Sequence, residues 1–381
     1  MKYQKITLLF VLLSALTTPL TAFLGAQPLT YAVLQNYSTH NFAPSQPNWR
    51  LIDNRLWSQQ GRISDPAAFM AAILAQTTST AATDNGCPQG MVRANGTYTN
   101  TEALTLRERQ QGLRTVEEIQ GQFCVEMGPG GERNGWHVCL RYDRTGYLNA
   151  ITQLRERLNE AGRLRALDYC IDIYEFPNIP GEHPVVTATW IEANQYCHRL
   201  GKHLCSATEW QFACEGPEAW PYAKPDWDVR VPENDSERDH ACDLRWAIAP
   251  QQTTRATTAQ RPSARDQLGR YRRSSPEYGR LVAMLYGGYA SGMRSNCHSY
   301  FGVYDMVGNV DEWTNADWSV RQIGNPRNLL NNSRLMRAPY ASHLKGGWWS
   351  NVRNRCRPTT TAHGPGYSYY QSGFRCCADK Q

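Results

Sequence analysis

Apolar residues recur at three- and four-residue steps from Leu148 through Ile151 and Leu154 to Leu158. That spacing predicts an amphipathic helix whose other face is solvated. A second helix is predicted to start at Trp190, because Thr189 stands at its N-cap with Glu192 three residues later, and Gly201 offers a natural stop. A third begins after Ser206, which can cap it, and should turn Trp210 and Phe212 inward. Residues 27–86 are rich in Asn, Gln, Ser, Thr and Ala with weak periodicity. They read as a poorly ordered N-terminal arm with one short helix near Ala67–Gln76. From Cys170 onward short apolar pieces alternate with Gly, Pro and Asn, the texture of irregular structure with little regular strand.

The first 26 residues break this pattern. Lys2 and Lys5 precede the apolar run Ile6–Leu13, and Thr21-Ala22 and Gly25-Ala26 offer small-residue cleavage sites, the layout of a secretory signal peptide. An uncleaved N-terminal anchor is the alternative. On either reading the body faces an oxidising compartment, and a periplasmic or secreted location is expected. Beyond this segment no uncharged apolar run is long enough for a membrane span. All twelve cysteines lie between Cys87 and Cys377 and none forms a C-x-x-C pair, so a disulfide framework is expected rather than zinc.

Composition adds little beyond texture. Twelve Trp, 20 Tyr and 29 Gly suit a turn-rich, aromatic-packed fold, and a net charge of +6 does not call for nucleic acid. The charge is uneven. Residues 251–280 carry Arg255, Arg261, Arg265, Arg270, Arg272, Arg273 and Arg280 against Asp266 and Glu277. With almost no apolar residues, this basic insert reads as a protruding flexible loop. It is either simply solubilising or a contact for an acidic protein surface, a lipid headgroup or a polysaccharide.

Four segments in order resemble the formylglycine-generating enzyme family, also called the sulfatase-modifying-factor family: Val185–Cys197, Gly201–Cys214, Gly302–Trp313, and Lys345–Trp349 ending at Gly373-Phe374-Arg375-Cys376. The likeness spans a little over half the chain. It implies an α+β domain with the C-type-lectin-like fold of that family, few regular elements and many disulfides. The chain then divides into a signal peptide (1–26), the arm (27–86), a Cys-containing helical N-terminal region (87–169) and the family-like domain (170–381) with its insert.

The resemblance also implies structural calcium. Asp305 and Glu312 are hard oxygen donors seven residues apart, and Gly308 and Asn309 allow a sharp turn between them. By position, the family's ligands would be the Asp305 side chain, the Gly308 and Val310 carbonyls, and Glu312. A metal-free turn with the acids capping amides is the alternative. A second family calcium loop resembles Ala241-Cys242-Asp243-Leu244. The family's pairings imply disulfides Cys197–Cys376 and Cys214–Cys356. Cys242–Cys297 would be a third, flanking the insert. Cys205 and Cys377 are extra to the common pattern and are expected to join the N-terminal cysteines.

Members that generate formylglycine hold copper with two cysteine thiolates after the Gly-Gly-x-Trp run. Here Asn351 stands in the first of those places, and Cys356 matches either the second or a structural cysteine. Neither alignment gives two thiolates, the soft ligands that Cu(I) needs. A second branch uses a three-histidine iron site, but the nine histidines are scattered with no pair at helical metal spacing. Copper and iron are therefore not expected. Trp348, Trp349, Asn351, Arg353, Arg355, Arg357 and His363 would line the groove where the family holds its substrate, with arginine forks suited to carboxylate or phosphate. The alternative has these arginines paired with loop acids and carbonyls. The expectation is an exported, non-redox accessory that binds an envelope protein or ligand and supports its maturation or assembly. The alternatives are a metal-dependent oxidase and, by fold analogy, a carbohydrate-binding module.

Overall fold

The computed structural model describes residues 86–127, 139–223, 242, 265–317, 341–349 and 353–380, apart from 102–103, 266, 274 and 296. The signal segment, nearly all of the arm, Asn351, most of Ala241–Leu244 and the insert up to residue 264 lie outside the described residues.

The chain enters as strand β1 (Met91–Thr99) and continues into two short helices, α1 (Leu106–Gln110) and α2 (Val116–Gln122). Each helix is started by a threonine, Thr105 or Thr115, in a reciprocal capping box with Glu108 or Glu118. Strands β2 (Cys124–Met127) and β3 (Cys139–Tyr142) pair antiparallel and are joined by the Cys124–Cys139 disulfide. Helix α3 (Arg144–Glu160) realises the three–four pattern, burying Tyr147, Ile151, Leu154 and Leu158. Strand β4 (Leu164–Asp172) follows.

Helix α4 (Trp190–Arg199) begins at the Thr189–Glu192 capping box, and its exit is at Gly201, whose φ of +70° suits glycine. Strand β5 (His203–Leu204) leads into helix α5 (Ala207–Glu215), capped by Ser206 and Glu209, with Trp210 and Phe212 fully buried. Helix α6 (Pro276–Leu285) is followed by β6 (Asp311–Asn315), β7 (Ser342–Lys345), β8 (Thr359–Thr360), β9 (Ser372–Phe374) and β10 (Cys376–Asp379).

Two four-stranded sheets organise these elements, in the orders β1-β4-β10-β5 and β8-β7-β6-β9. The last strands β9 and β10 are separated by Arg375 alone, so one short segment enters both sheets. The α+β, disulfide-rich class implied by the sequence is the one observed. The division at residue 170 is not where the structure divides. It cuts through β4, which pairs with β1 along its whole length and with β10 on its other edge.

All twelve cysteines are paired. Cys197–Cys376, Cys214–Cys356 and Cys242–Cys297 bridge the family-like segments. Cys205 and Cys377 join each other rather than the N-terminal region, which closes its own pairs, Cys87–Cys170 and Cys124–Cys139. The register explains this: Cys377 sits opposite His203 in β10 and β5, with Cys205 just beyond the end of β5.

The insert also departs from expectation. From Arg265 onward it folds back: Leu268 is buried with Val186, Tyr278, Leu281, Tyr286 and Trp349. Arg273 donates to the Glu192 carboxylate and to the Thr187 carbonyl. Leu268, Tyr278 and the bonds of Arg273 anchor a segment whose average composition reads as loop.

Candidate functional site

Strand β7 ends in Gly346-Gly347, where the chain must turn tightly. Gly346 has a φ of +82°, and a Cβ there would come within 2.8 Å of the Met306 carbonyl. The turn delivers Trp348 and Trp349. Trp349 is buried against Gly287, where a Cβ would approach its ring to 2.8 Å, and Trp348 is half-buried. From this corner a run of aromatic rings crosses the surface. Trp349 lies 4.7 Å from Tyr286 and 5.9 Å from Tyr370, measured between ring centroids. Tyr370 contacts Tyr369 at 4.6 Å, Tyr369 contacts Tyr367 at 6.1 Å, and Tyr367 stacks on His363 at 3.8 Å with the planes 9° apart. His363, Tyr367, Tyr369 and Tyr370 are all partly exposed.

Charge shapes the strip. Arg265 donates from Nε to the Tyr369 hydroxyl at 3.1 Å and lies over its ring. Burial and the nearby Arg353 hold His363 below its ordinary value, so its ring is neutral at physiological pH. Burial, with neighbouring Tyr369, pushes the Tyr367 hydroxyl up to about 12, so it stays a hydrogen-bond donor. The strip offers ring faces, hydroxyls and one guanidinium.

Of the arginines expected to line a groove, two are interior. Arg357 grips Glu215 with two hydrogen bonds of 2.7 Å and donates to the Thr99 carbonyl and the Thr101 hydroxyl, fully out of solvent. Arg353 pairs with Asp311 and donates to the Leu344 carbonyl, and burial pushes the Asp311 carboxyl up to about 6 against the pull of that guanidinium. Arg355 is partly buried. The cause is proximity in the fold: β7, β8 and the 353–358 turn pack directly over α5 and β6, where acids wait. Tyr369, Tyr370 and Tyr286 were not singled out from sequence, and Arg265 was placed in the basic insert rather than in the groove. The dense Tyr367-Ser368-Tyr369-Tyr370 run was the signal for two of them.

At the expected calcium loop, Asp305 is buried with a φ of +59° and accepts a 2.6 Å hydrogen bond from the Gly292 amide. Glu312 is committed elsewhere: both its oxygens accept from Arg375 at 2.7 Å, and one also accepts from Trp210 Nε1 at 2.8 Å. A further carboxylate, Glu175, comes into this region. It accepts from Ser291 Oγ, Asn309 Nδ2 and the Val310 amide, and burial, then Asp305 and Glu312, push it well above the usual carboxylate range. Three buried carboxylates face one guanidinium. Glu312 thus has most of its acceptor capacity filled.

Among the described residues, one His/Cys/Asp/Glu group gathers ligand atoms within 4.8 Å: His203, Glu209 and Cys377. It is a poor metal site, because the Cys377 sulfur is spent in a disulfide and His203 Nε2 lies 3.1 Å from Glu209 Oε1. The aromatic strip holds no thiolate.

Comparison with known proteins gives distant structural matches and one family match. The crystal structure of CarF matches with 14% identity and a TM-score of 0.34, covering 58% of this chain and 91% of that one. PvdO from Pseudomonas aeruginosa matches with 14% identity and a TM-score of 0.30, covering 57% and 84%. The Major Tropism Determinant I1 variant matches with 13% identity and a TM-score of 0.28, covering 55% and 50%. The sequence model of the sulfatase-modifying factor enzyme 1-like domain matches residues 174–380. The chain thus belongs to the sulfatase-modifying-factor, or formylglycine-generating enzyme, family.

Proposed function

We propose that this protein is an exported, non-redox member of its family. It uses the aromatic strip beside Trp348 and Trp349 to bind an envelope protein or ligand, and so supports that partner's maturation or assembly. The observation that carries the reading is the cysteine pairing. Cys356 follows the Gly-Gly-Trp-Trp turn and is bonded to Cys214 in the buried core, and no cysteine in the chain is free. A two-thiolate copper site has no free sulfur to use. Rings, hydroxyls and a guanidinium bind; they do not by themselves move electrons. Six disulfides support export, since such bonds persist in oxidising compartments. No helix among the described residues is long and apolar enough to cross a membrane.

Calcium has a structural part in this proposal. Asp305 and Glu175, with the Gly308 and Val310 carbonyls, would hold it, and it would neutralise the buried carboxylates and pin the 305–312 loop to the 291–292 turn. Elemental analysis of protein from the exported fraction tests the whole reading. Calcium without stoichiometric copper or iron, and no oxygen uptake, is expected. Stoichiometric copper or iron with oxygen consumption would overturn it.

A further inference from the structure

The segment 268–273 is pinned at both ends. Leu268 is buried beside Tyr286 and Trp349, and Arg273 is held by Glu192 and the Thr187 carbonyl. Across each anchor the chain makes a turn: the Arg270 amide donates to the Gln267 carbonyl at 2.9 Å, and the Ser275 amide to the Arg272 carbonyl at 2.9 Å. The result is a fixed finger that presents Arg270, Tyr271 and Arg272 outward, with Tyr271 40% exposed. Arg265 and Arg280 are also exposed, and Glu277 is the one acid among the described side chains from 265 to 280. Arg265 joins the finger's segment to the strip by its contact with Tyr369.

We propose that the finger and the strip together form a binding site for an acidic glycan. Sugar rings would lie against the aromatic faces, and carboxylates would pair with the guanidinium groups of Arg270, Arg272 and Arg265. This rests on the reading of the protein as a binder and names the class of its ligand. Charge sets the sign: exposed arginines with Glu277 as the one acid among the described side chains nearby favour an anion, and their planar forks match carboxylates. The rings set the shape, because an aromatic face attracts the slightly positive C–H face of a sugar.

Backbone geometry argues against a peptide. The Tyr367 amide donates to the Gly364 carbonyl, the Tyr369 amide to Ser372 Oγ, and the Ser372 amide to the Tyr369 carbonyl. The strip's own loop uses these groups, so an extended peptide finds no strand edge there to pair with. Six disulfides argue against nucleic acid, since they place the chain outside the reducing cytoplasm.

The test is calorimetry on the full mature chain with tetragalacturonate as the probe. Neutral maltotetraose, tetraglutamate and a short oligothymidylate serve as comparators. Tetragalacturonate is expected to bind, more weakly as salt rises, and to bind better than all three comparators. The double variant Arg270→Gln/Arg272→Gln should weaken it by roughly tenfold or more. Tyr271→Ala should weaken it without changing the melting temperature, as all three side chains are exposed. The proposal is overturned if tetragalacturonate fails to bind, if tetraglutamate or the oligonucleotide binds as well, or if the variants bind like the parent. Any of these outcomes leaves the non-redox reading intact, because that reading stands or falls on metal content and oxygen uptake.

Discussion

The region before residue 174 and the family-matched region after it place their charges in opposite ways. In the first, the pairs Arg93–Asp168, Arg109–Glu118 and Arg141–Glu126 are substantially solvated, and Arg163–Glu108 is partly so. In the second, Arg353–Asp311, Arg357–Glu215 and Arg375–Glu312 are sealed in the interior. Solvated pairs contribute little because water screens them and side-chain entropy opposes them. Sealed pairs resist loss of either partner, since the survivor is a naked charge in a poor solvent. The family region thus relies on charge networks and long disulfides where its strands are short. The N-terminal region relies on ordinary helix packing, with capped helices and a leucine-lined face.

The two regions nevertheless share one sheet. β1 and β4 supply half of the first sheet, and α2 and α3 clasp the segment after α5: Tyr147 and Gln120 both donate to the Ala219 carbonyl, and Arg155 donates to that of Pro217. Arg357 reaches back to Thr99 and Thr101. The largest effect therefore follows from separating them. A chain that starts at residue 174 should show no cooperative thermal transition; a sharp one would make the matched region an independent domain.

Next in size is a sealed pair against a solvated one. Arg357→Ala should cost about 3–5 kcal/mol in denaturant unfolding, while Arg93→Ala changes stability little. Equal losses would erase the contrast. Disulfides give the third comparison. The Cys205–Cys377 bond spans 172 residues, but Cys197–Cys376 already ties the same two segments, whereas Cys124–Cys139 spans 15 and closes its own loop. Replacing either pair by serine should therefore cost a similar amount, roughly 3 kcal/mol, from the chain-entropy dependence on loop length.

The proposed calcium site would separate two acids of one loop. Asp305→Asn keeps an oxygen for the Gly292 amide but loses the charge, so it should abolish any rise in melting temperature on adding calcium. Glu312→Gln strips Arg375 of its partner and should lower the melting temperature with or without calcium. The smallest effect is in pH. His203 is half-buried: burial lowers its pKa, but the Glu209 hydrogen bond and charge outweigh this and raise it above 6.5. Glu209 is lowered below 4.5, since His203 and the Ser206 amide outweigh its burial. The pair's stabilisation is complete below the ordinary histidine value and above the ordinary carboxylate value. It fades as pH rises through the raised His203 pKa, and again as pH falls through the lowered Glu209 pKa. His203→Gln should flatten the melting profile on the alkaline side of 6.5.

What the sequence revealed and what it hid follow the same line. Capping boxes and the α3 stripe were legible because they are local: Thr189 and Glu192 are three residues apart, and Leu154 and Leu158 four. The motifs Gly346-Gly347-Trp348-Trp349 and Gly373-Phe374-Arg375-Cys376 were legible as family marks. The burial of Arg353 and Arg357 was not, because Glu215 lies 142 residues from Arg357 and only the folded sheet brings them together. Nor was the anchoring of the basic insert, which depends on Leu268 and Tyr278 and on Glu192, 81 residues away from Arg273. The aromatic strip was half visible: Trp348, Trp349 and His363 fell within the expected groove, but Tyr286 and Arg265 come from outside it.

The central claim is that the family's scaffold persists here without thiolates for a redox metal. Disulfide mapping by mass spectrometry of the exported protein, with thiol titration after unfolding, tests it most directly. The account predicts no free thiol and a peptide pair linking Cys356 to Cys214. A free Cys356, or a copper ion released as that thiol appears, would contradict it.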